Sequence, residues 1–381
     1  MMAHIGWRLV GGVLGVVVAL VVGAEAASVT TNILVGVITN KDGPHLKIYF
    51  PAIAACNSVS SVAVADDSGT SFDRARNALA EKFGDLKTFR DPSAMLKEFR
   101  PNLVVVALPA HLAPNRIREA LNAECHVLAE KPACVRPEDF VPLVALAEQK
   151  KLNLMLALPQ RLAPSTVRAK EIIDAAWLGK PYGVVFHHVK DQARLTRSSY
   201  QKSWYADRDL AGGGHLIWLG IHKLDRVFFL LNDRVESVTA FTNNVGEQPI
   251  KIEDSEAVAF RFRSGMLGTF HGGYYVEGGS MQAGTTIWGS KGWMKMDDYR
   301  GPDGSTTLFR WYSTHEDAPR GVQTERLEEA NQYFLLMQAA VDATRGAMAP
   351  PLTGGECLHV LKVIFGAYQS AEIGKATAIR D

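Results

Sequence analysis

Between Asn32 and Ala157 the chain alternates short, almost wholly apolar runs with longer amphipathic stretches. The runs are Asn32–Ile38 (NILVGVI), Ser60–Ala65 (SSVAVA), Leu103–Leu108 (LVVVAL), His126–Ala129 (HVLA) and Leu152–Ala157. A strand apolar at successive positions must be covered on both faces, which is the condition of a parallel sheet sandwiched between helices. The stretches between them predict helices at His45–Cys56, Phe72–Phe83, Asn115–Ala123 and Pro137–Lys150. The order implies βαβ units and an N-terminal doubly wound parallel sheet of Rossmann type.

The texture changes near Pro159. A helix at Ser165–Ala176 leads into longer segments in which apolar and polar residues alternate: Gly183–Asp191, Val235–Thr242, Ala257–Phe262, Met266–Tyr275 and Thr285–Trp288. Period-two alternation suits a large, mostly antiparallel open sheet with one covered face. A further helix opens after Gly212-Gly213-Gly214, and two more are expected at Leu327–Thr344 and Gly355–Gly374. The chain is therefore α/β throughout, with expected boundaries of 28–158 for the Rossmann domain and 159–381 for a C-terminal substrate and oligomerisation domain.

Residues 1–27 differ from the rest. Arg8 precedes an apolar run from Leu9 to Gly23, which closes on the small-residue pattern Ala24-Glu25-Ala26. This is the layout of a secretory signal peptide, with an uncleaved N-terminal anchor as the alternative. Export follows if the signal is used, and a membrane-anchored or cytoplasmic protein otherwise. A net charge of +1 without long like-charge blocks gives no footprint for nucleic acid. The four cysteines form no CxxC pair, so no metal site is expected from them; a Cys125–Cys134 bridge is open to an exported chain.

Several residues fall where a doubly wound sheet binds ligands, at the carboxyl ends of its strands. The first β–α turn runs Gly36-Val37-Ile38-Thr39-Asn40-Lys41-Asp42-Gly43, with Gly36 and Gly43 as the remnants of a phosphate-cradling pattern. Asp66 ends the second strand, where a carboxylate can accept ribose hydroxyls and favour NAD over NADP. The following Asp67-Ser68-Gly69 also suits a plain turn. Pro109 follows the third apolar run, and Glu130-Lys131-Pro132 the fourth. Lys131 would then point into the crevice, where an ammonium can bond a ribose or substrate hydroxyl.

Downstream, Trp204 to Asp225 reads WYADRDLAGGGHLIWLGIHKLD. Together with Glu130-Lys131-Pro132 it resembles the Gfo/Idh/MocA family, named for glucose–fructose oxidoreductase and inositol dehydrogenase. Gln160-Arg161 with Pro164, Lys180-Pro181-Tyr182-Gly183, Gly289-Ser290-Lys291-Gly292 and Tyr368 to Lys375 extend the likeness over nearly all of the mature chain. The resemblance implies a Rossmann domain, a second domain with an open antiparallel sheet, and hydride transfer between a nicotinamide dinucleotide and a sugar or polyol. It carries a catalytic lysine, aspartate and histidine onto Lys131, Trp218 and His222. It also makes Gly36, Asp66, Pro109, Glu130 and Lys131 the cofactor side, and Trp218, His215 and Arg161 the substrate side. The exposed face of the second sheet is a plausible homo-oligomer surface in such a family.

Trp218 departs from the pattern by removing a carboxylate and adding a stacking surface. Positions 218 and 222 share a helix face, and His215 and Asp225 continue the stripe. His215 is a candidate for the missing polar group, and Asp225 a candidate to orient His222. On this reading Lys131 and His222 bind the reacting carbinol, His222 takes its proton, and Lys131 stabilises the alkoxide. Two alternatives stay open: a non-catalytic binding protein on the same scaffold, favoured by Trp218 and the thinned glycine pattern, and an NAD-assisted glycoside-cleaving enzyme.

Overall fold

The computed structural model describes residues 32–279, 281–301 and 304–380; the signal-like segment lies outside the described residues. The strands of the first sheet are β1 (Ile33–Thr39), β2 (Val59–Asp66), β3 (Lys87–Phe89), β4 (Leu103–Ala107), β5 (His126–Ala129) and β6 (Leu154–Leu156). The helices between them are α1 (Leu46–Ala55), α2 (Phe72–Phe83), α3 (Pro92–Glu98), α4 (Ala113–Asn122) and α5 (Pro137–Lys150). All neighbours are parallel, in the order β3-β2-β1-β4-β5-β6. The order reverses between β1 and β4, which opens a crevice at their carboxyl ends. Register aligns Thr39 with Asp66 on one side and Ala107 on the other, so the functional loops leave along one edge. The sequence reading passed over β3 and α3, both short, although Asp91 caps α3 through Ser93 N and Ala94 N.

A second unit follows with α6 (Pro164–Asp174), β7 (Pro181–Asp191), α7 (Ser198–Gln201), α8 (Arg208–Ala211) and α9 (Ile221–Leu231). Then come β8 (Val235–Asn243), β9 (Ser255–Phe262), β10 (Leu267–Val276), β11 (Met281–Gly289), β12 (Gly292–Gly301), β13 (Gly304–Ser313) and β14 (Gln323–Glu328). The described chain closes with α10 (Gln332–Thr344), α11 (Gly354–Ile373) and β15 (Thr377–Ala378). These strands form one sheet, β14-β13-β12-β11-β7-β10-β9-β8-β15, in which β7 and β10 run parallel and the other described pairs antiparallel. Strict alternation puts Val184, Phe186, Val258, Phe260 and Phe270 inward under α9, while Val185, Phe241, Leu267 and Trp288 face out.

The expected helix at Leu327–Thr344 is corrected at its start: Gln323–Glu328 is a strand and the helix begins at Gln332. Pairing with β13 wins over helical propensity there, because Glu325 receives Arg168 and the Trp311 indole. α10 packs on α1, and α11 spans both units by touching α5, β6 and β8. The four cysteines are buried thiols, so the Cys125–Cys134 bridge is absent. Among the described residues no helix is long and apolar enough to cross a membrane.

Candidate active site

The helix that carries the sequence motif does not start as a regular helix. Leu216–Gly220 winds as a π turn before α9 takes over at Ile221. Such a turn inserts one residue and leaves main-chain carbonyls free for outside partners, and it often marks a functional site. The Glu253 carboxylate anchors its start, accepting from Gly214 N at 2.7 Å, Leu216 N at 3.0 Å and the Tyr368 hydroxyl at 2.8 Å. Trp218 and His222 are thereby aimed at the edge of the first sheet where Lys131 emerges.

These three residues line a cavity of about 650 Å³, together with His45, His188, Arg194, Tyr205, Lys223 and Tyr333. Lys131 is buried and donates to the Trp218 carbonyl at 2.7 Å. Its ammonium also lies 4.5 Å from the centre of the Trp218 ring. Burial lowers the lysine to about 8, against the pull of Glu130 and with the help of Arg194. Neither ring nitrogen of His222 has a protein partner among the described residues, and burial together with Lys131 and His45 holds the ring well below its usual pKa. It is a neutral imidazole at neutral pH.

Glu130 is turned toward the start of α1. Its buried carboxylate accepts the Tyr49 hydroxyl and lies 3.0 Å from His45 Nδ1 and 4.0 Å from Lys131 Nζ. Burial would raise it, but His45, Lys131 and Tyr49 outweigh that and keep it ionised. It is a positioning residue that ties the start of α1 to Lys131.

The remaining expected residues divide. Gly36 is in the middle of β1, where a β-carbon would press on Met95 and Pro101 at 2.9 and 3.0 Å; it packs and does not cradle phosphate. The tight spot of the turn is Gly43, whose β-carbon would fall 1.9 Å from Thr39 Oγ1. Asp66 is corrected as the ribose acceptor: its buried carboxylate already accepts Ser68 N, Ser68 Oγ and Ser71 N. Burial would raise its pKa, but these donors hold it below the usual value. The exposed carboxylate at that edge belongs to Asp67. Pro109 is buried past the end of β4, with its carbonyl taken by Leu112 N and Ala113 N.

Arg161 does not reach a substrate. It is buried with Asp225, bonding it through Nη2 at 2.7 Å and Nε at 3.0 Å, and also meets Glu356 at 2.5 Å. Asp225 is thereby committed to Arg161, and it does not orient His222. His215 is fully buried and absent from the cavity wall; its partners are Glu256 and His188. Sequence reasoning missed His45, His188 and Lys223 as cavity residues. The pair His187-His188 inside an alternating strand was the available signal, since one of the two had to face inward.

The expected nicotinamide dinucleotide suits this edge. α1 begins at the carboxyl end of β1 without a side-chain cap; Ile48 N and Tyr49 N turn to the His45 carbonyl, which leaves the N–H groups of Leu46 and Lys47 for an anion. Asp67 and Lys131 flank it in the places a ribose and a nicotinamide would need.

Residues 47–158 match the model of an oxidoreductase family with an NAD-binding Rossmann fold, and residues 166–295 match the GFO/IDH/MocA C-terminal domain. The chain belongs to the Gfo/Idh/MocA family. It is an oxidoreductase whose cofactor is NAD. Within the family it is similar to D-glucoside 3-dehydrogenase of Escherichia coli K12, with 26% identity over 340 residues, 86% of this chain and 92% of that one. It is also similar to myo-inositol 2-dehydrogenase of Thermotoga maritima, with 23% identity over 81% of this chain and 89% of that one. The fold matches the crystal structure of the Caulobacter crescentus aldose-aldose oxidoreductase complexed with glycerol at a TM-score of 0.76 and 20% identity, covering 91% and 99% of the two chains. Gfo/Idh/MocA membership accounts for the two sheets and for the cavity between Lys131 and His222.

Proposed function

We propose that the protein transfers hydride between the nicotinamide and a carbinol carbon of a sugar, polyol or related carbohydrate derivative. The observation that carries this reading is the convergence of Lys131, just past β5, and His222, on α9, on one polar cavity at the carboxyl edge of the Rossmann strands. When bound, the nicotinamide supplies the hydride acceptor. Lys131 bonds the reacting oxygen, and its ammonium stabilises alkoxide character there. His222, neutral and without a protein partner, accepts from a substrate hydroxyl. Trp218 and Tyr205 offer aromatic faces to the apolar side of a sugar ring. The glucoside and inositol dehydrogenases among the relatives support the carbohydrate class.

Fluorescence titration with NADH, followed by absorbance assays of NAD-dependent oxidation of D-glucose, methyl β-D-glucoside and myo-inositol, tests the reading. Tight NADH binding with turnover of at least one compound is expected. Binding of no dinucleotide overturns it.

The outward apolar residues Val185, Phe241, Leu267 and Trp288 support a second proposal, a homo-oligomer formed through this sheet. A monomeric mass by light scattering at micromolar concentration overturns it. Residues 1–27 support export, with membrane attachment only if they stay uncleaved; fractionation of cells with N-terminal sequencing of the product tests both.

A further inference from the structure

The place left by the missing aspartate is answered on the opposite side of the cavity. Register aligns Glu256 of β9, Gly272 of β10, His188 of β7 and Ala283 of β11 in one cross-strand row. A side chain on Gly272 would fill the gap between Glu256 and His188: its β-carbon would fall 2.1 Å from Glu256 Oε1 and 2.8 Å from His215 Cε1. With only hydrogen there, the His215 ring descends from the helix above and occupies the slot. Its Nδ1 lies 2.6 Å from Glu256 Oε1, and its Nε2 lies 3.0 Å from His188 Nδ1. Tyr274 holds the ring edge-on, at 4.9 Å and 90° between planes. His188 ends the chain of contacts and lines the cavity with Lys131 and His222.

Hydrogen-bond logic fixes the protons. A carboxylate only accepts, so His215 Nδ1 carries hydrogen and donates to Glu256. For a His215 that carries this one proton only, Nε2 accepts, and His188 Nδ1 carries the hydrogen between the two rings. His188 Nε2 is left with its lone pair, and it has no protein partner among the described residues. Burial is the main cause that keeps His188 well below its usual pKa and therefore neutral, with Lys223 lowering it further and Asp298 opposing.

From this arrangement we infer that His188 Nε2 is the proton acceptor for the substrate carbinol, held in that tautomer by His215 and Glu256 as positioning residues. The inference rests on the carbohydrate-oxidation reading and moves the base role expected for His222 to His188. In the step, the carbinol C–H bond breaks and its electron pair leaves as hydride to the oxidised nicotinamide. The O–H bond breaks, its proton passes to His188 Nε2, and the carbon–oxygen double bond forms. In reduction the same nitrogen returns the proton.

The test combines nitrogen-15 NMR of histidine-labelled full-length protein with kinetics. Signals assigned through H188Q and H215Q should show both rings neutral, with hydrogen on Nδ1 and bare Nε2. E256Q should disturb this pattern at both rings while NADH affinity stays within about threefold of wild type. H188Q should lower kcat for the best sugar in the panel by about 10²–10⁴-fold, with KM changed far less. A protonated Nε2 on His188, or kcat of H188Q within threefold of wild type, overturns the inference. Wild-type turnover of none of the sugars instead overturns the carbohydrate reading and the acceptor role resting on it, whereas an inverted tautomer in an active enzyme overturns the acceptor role and leaves that reading standing.

Discussion

The Lys131 ammonium donates to the main-chain carbonyl of Trp218 at 2.7 Å while lying 4.5 Å from the centre of that residue's ring. The position where the family pattern has an acid therefore still holds the lysine, through backbone in place of a carboxylate. Losing a nearby negative charge leaves burial less opposed, in keeping with the lowering of Lys131 to about 8.

That value predicts a pH profile. The ammonium exists below about 8 and is lost above it. Ketone reduction by NADH, which needs the ammonium beside the forming alkoxide, should fall about tenfold per pH unit above that point. K131R should shift the alkaline limb upward, and K131M should lose at least about a hundredfold in kcat while still binding NADH. An unchanged limb in K131R would assign it to another group.

Trp218 packs edge-on against Trp204 at 5.3 Å and Tyr205 at 4.9 Å. W218A should cost about 3–5 kcal/mol in denaturant unfolding, the range for truncating a buried aromatic. W218F should cost less and raise KM more than it lowers kcat, because the carbonyl that holds Lys131 remains.

Arg161 and Asp225 are a buried pair. R161L leaves a buried carboxylate unmatched and should lower stability by about 3–5 kcal/mol, whereas R161L/D225L should recover part of that loss. Sugar KM in folded R161L should be unchanged; a large rise would return Arg161 to the substrate side.

Asp67 is exposed where Arg90 Nη1 donates to its carbonyl at 2.9 Å. D67S removes a negative charge next to that arginine and should shift kcat/KM toward NADP at least about tenfold. D66N should instead loosen the turn, seen as a lower melting temperature, because Asp66 receives three donors from Ser68 and Ser71.

The parallel strands were legible because each is buried on both faces and so reads as an unbroken apolar run. β12 to β14 were hidden because one side of each strand is polar or exposed, and Arg326-Leu327-Glu328-Glu329 has helical propensity. In the site, Lys131 and His222 were marked by their motifs. Helix spacing puts His215, Trp218 and His222 on one stripe, but the π turn breaks that register: Trp218 and His222 line the cavity while His215 turns into the core, and helix spacing carries no information about the strands opposite. Glu256 and His188 lie 41 and 27 residues from His215 in sequence, and only strand register brings them together. Asp66 was misassigned for a related reason: strand position fixes where a carboxylate emerges, while the Ser68 and Ser71 donors decide which way it turns.

The π turn at Leu216–Gly220 has a consequence for how this protein can change over time. A single-codon deletion there would make the helix more regular. It would also turn everything beyond it by about 100°, the angle one residue occupies in an α-helix. His222 would swing off the cavity wall while Glu253 still gripped Gly214 and Leu216. Insertions and deletions are tolerated in surface loops, but in this five-residue stretch the number of residues, independently of which side chains occupy it, decides where His222 points.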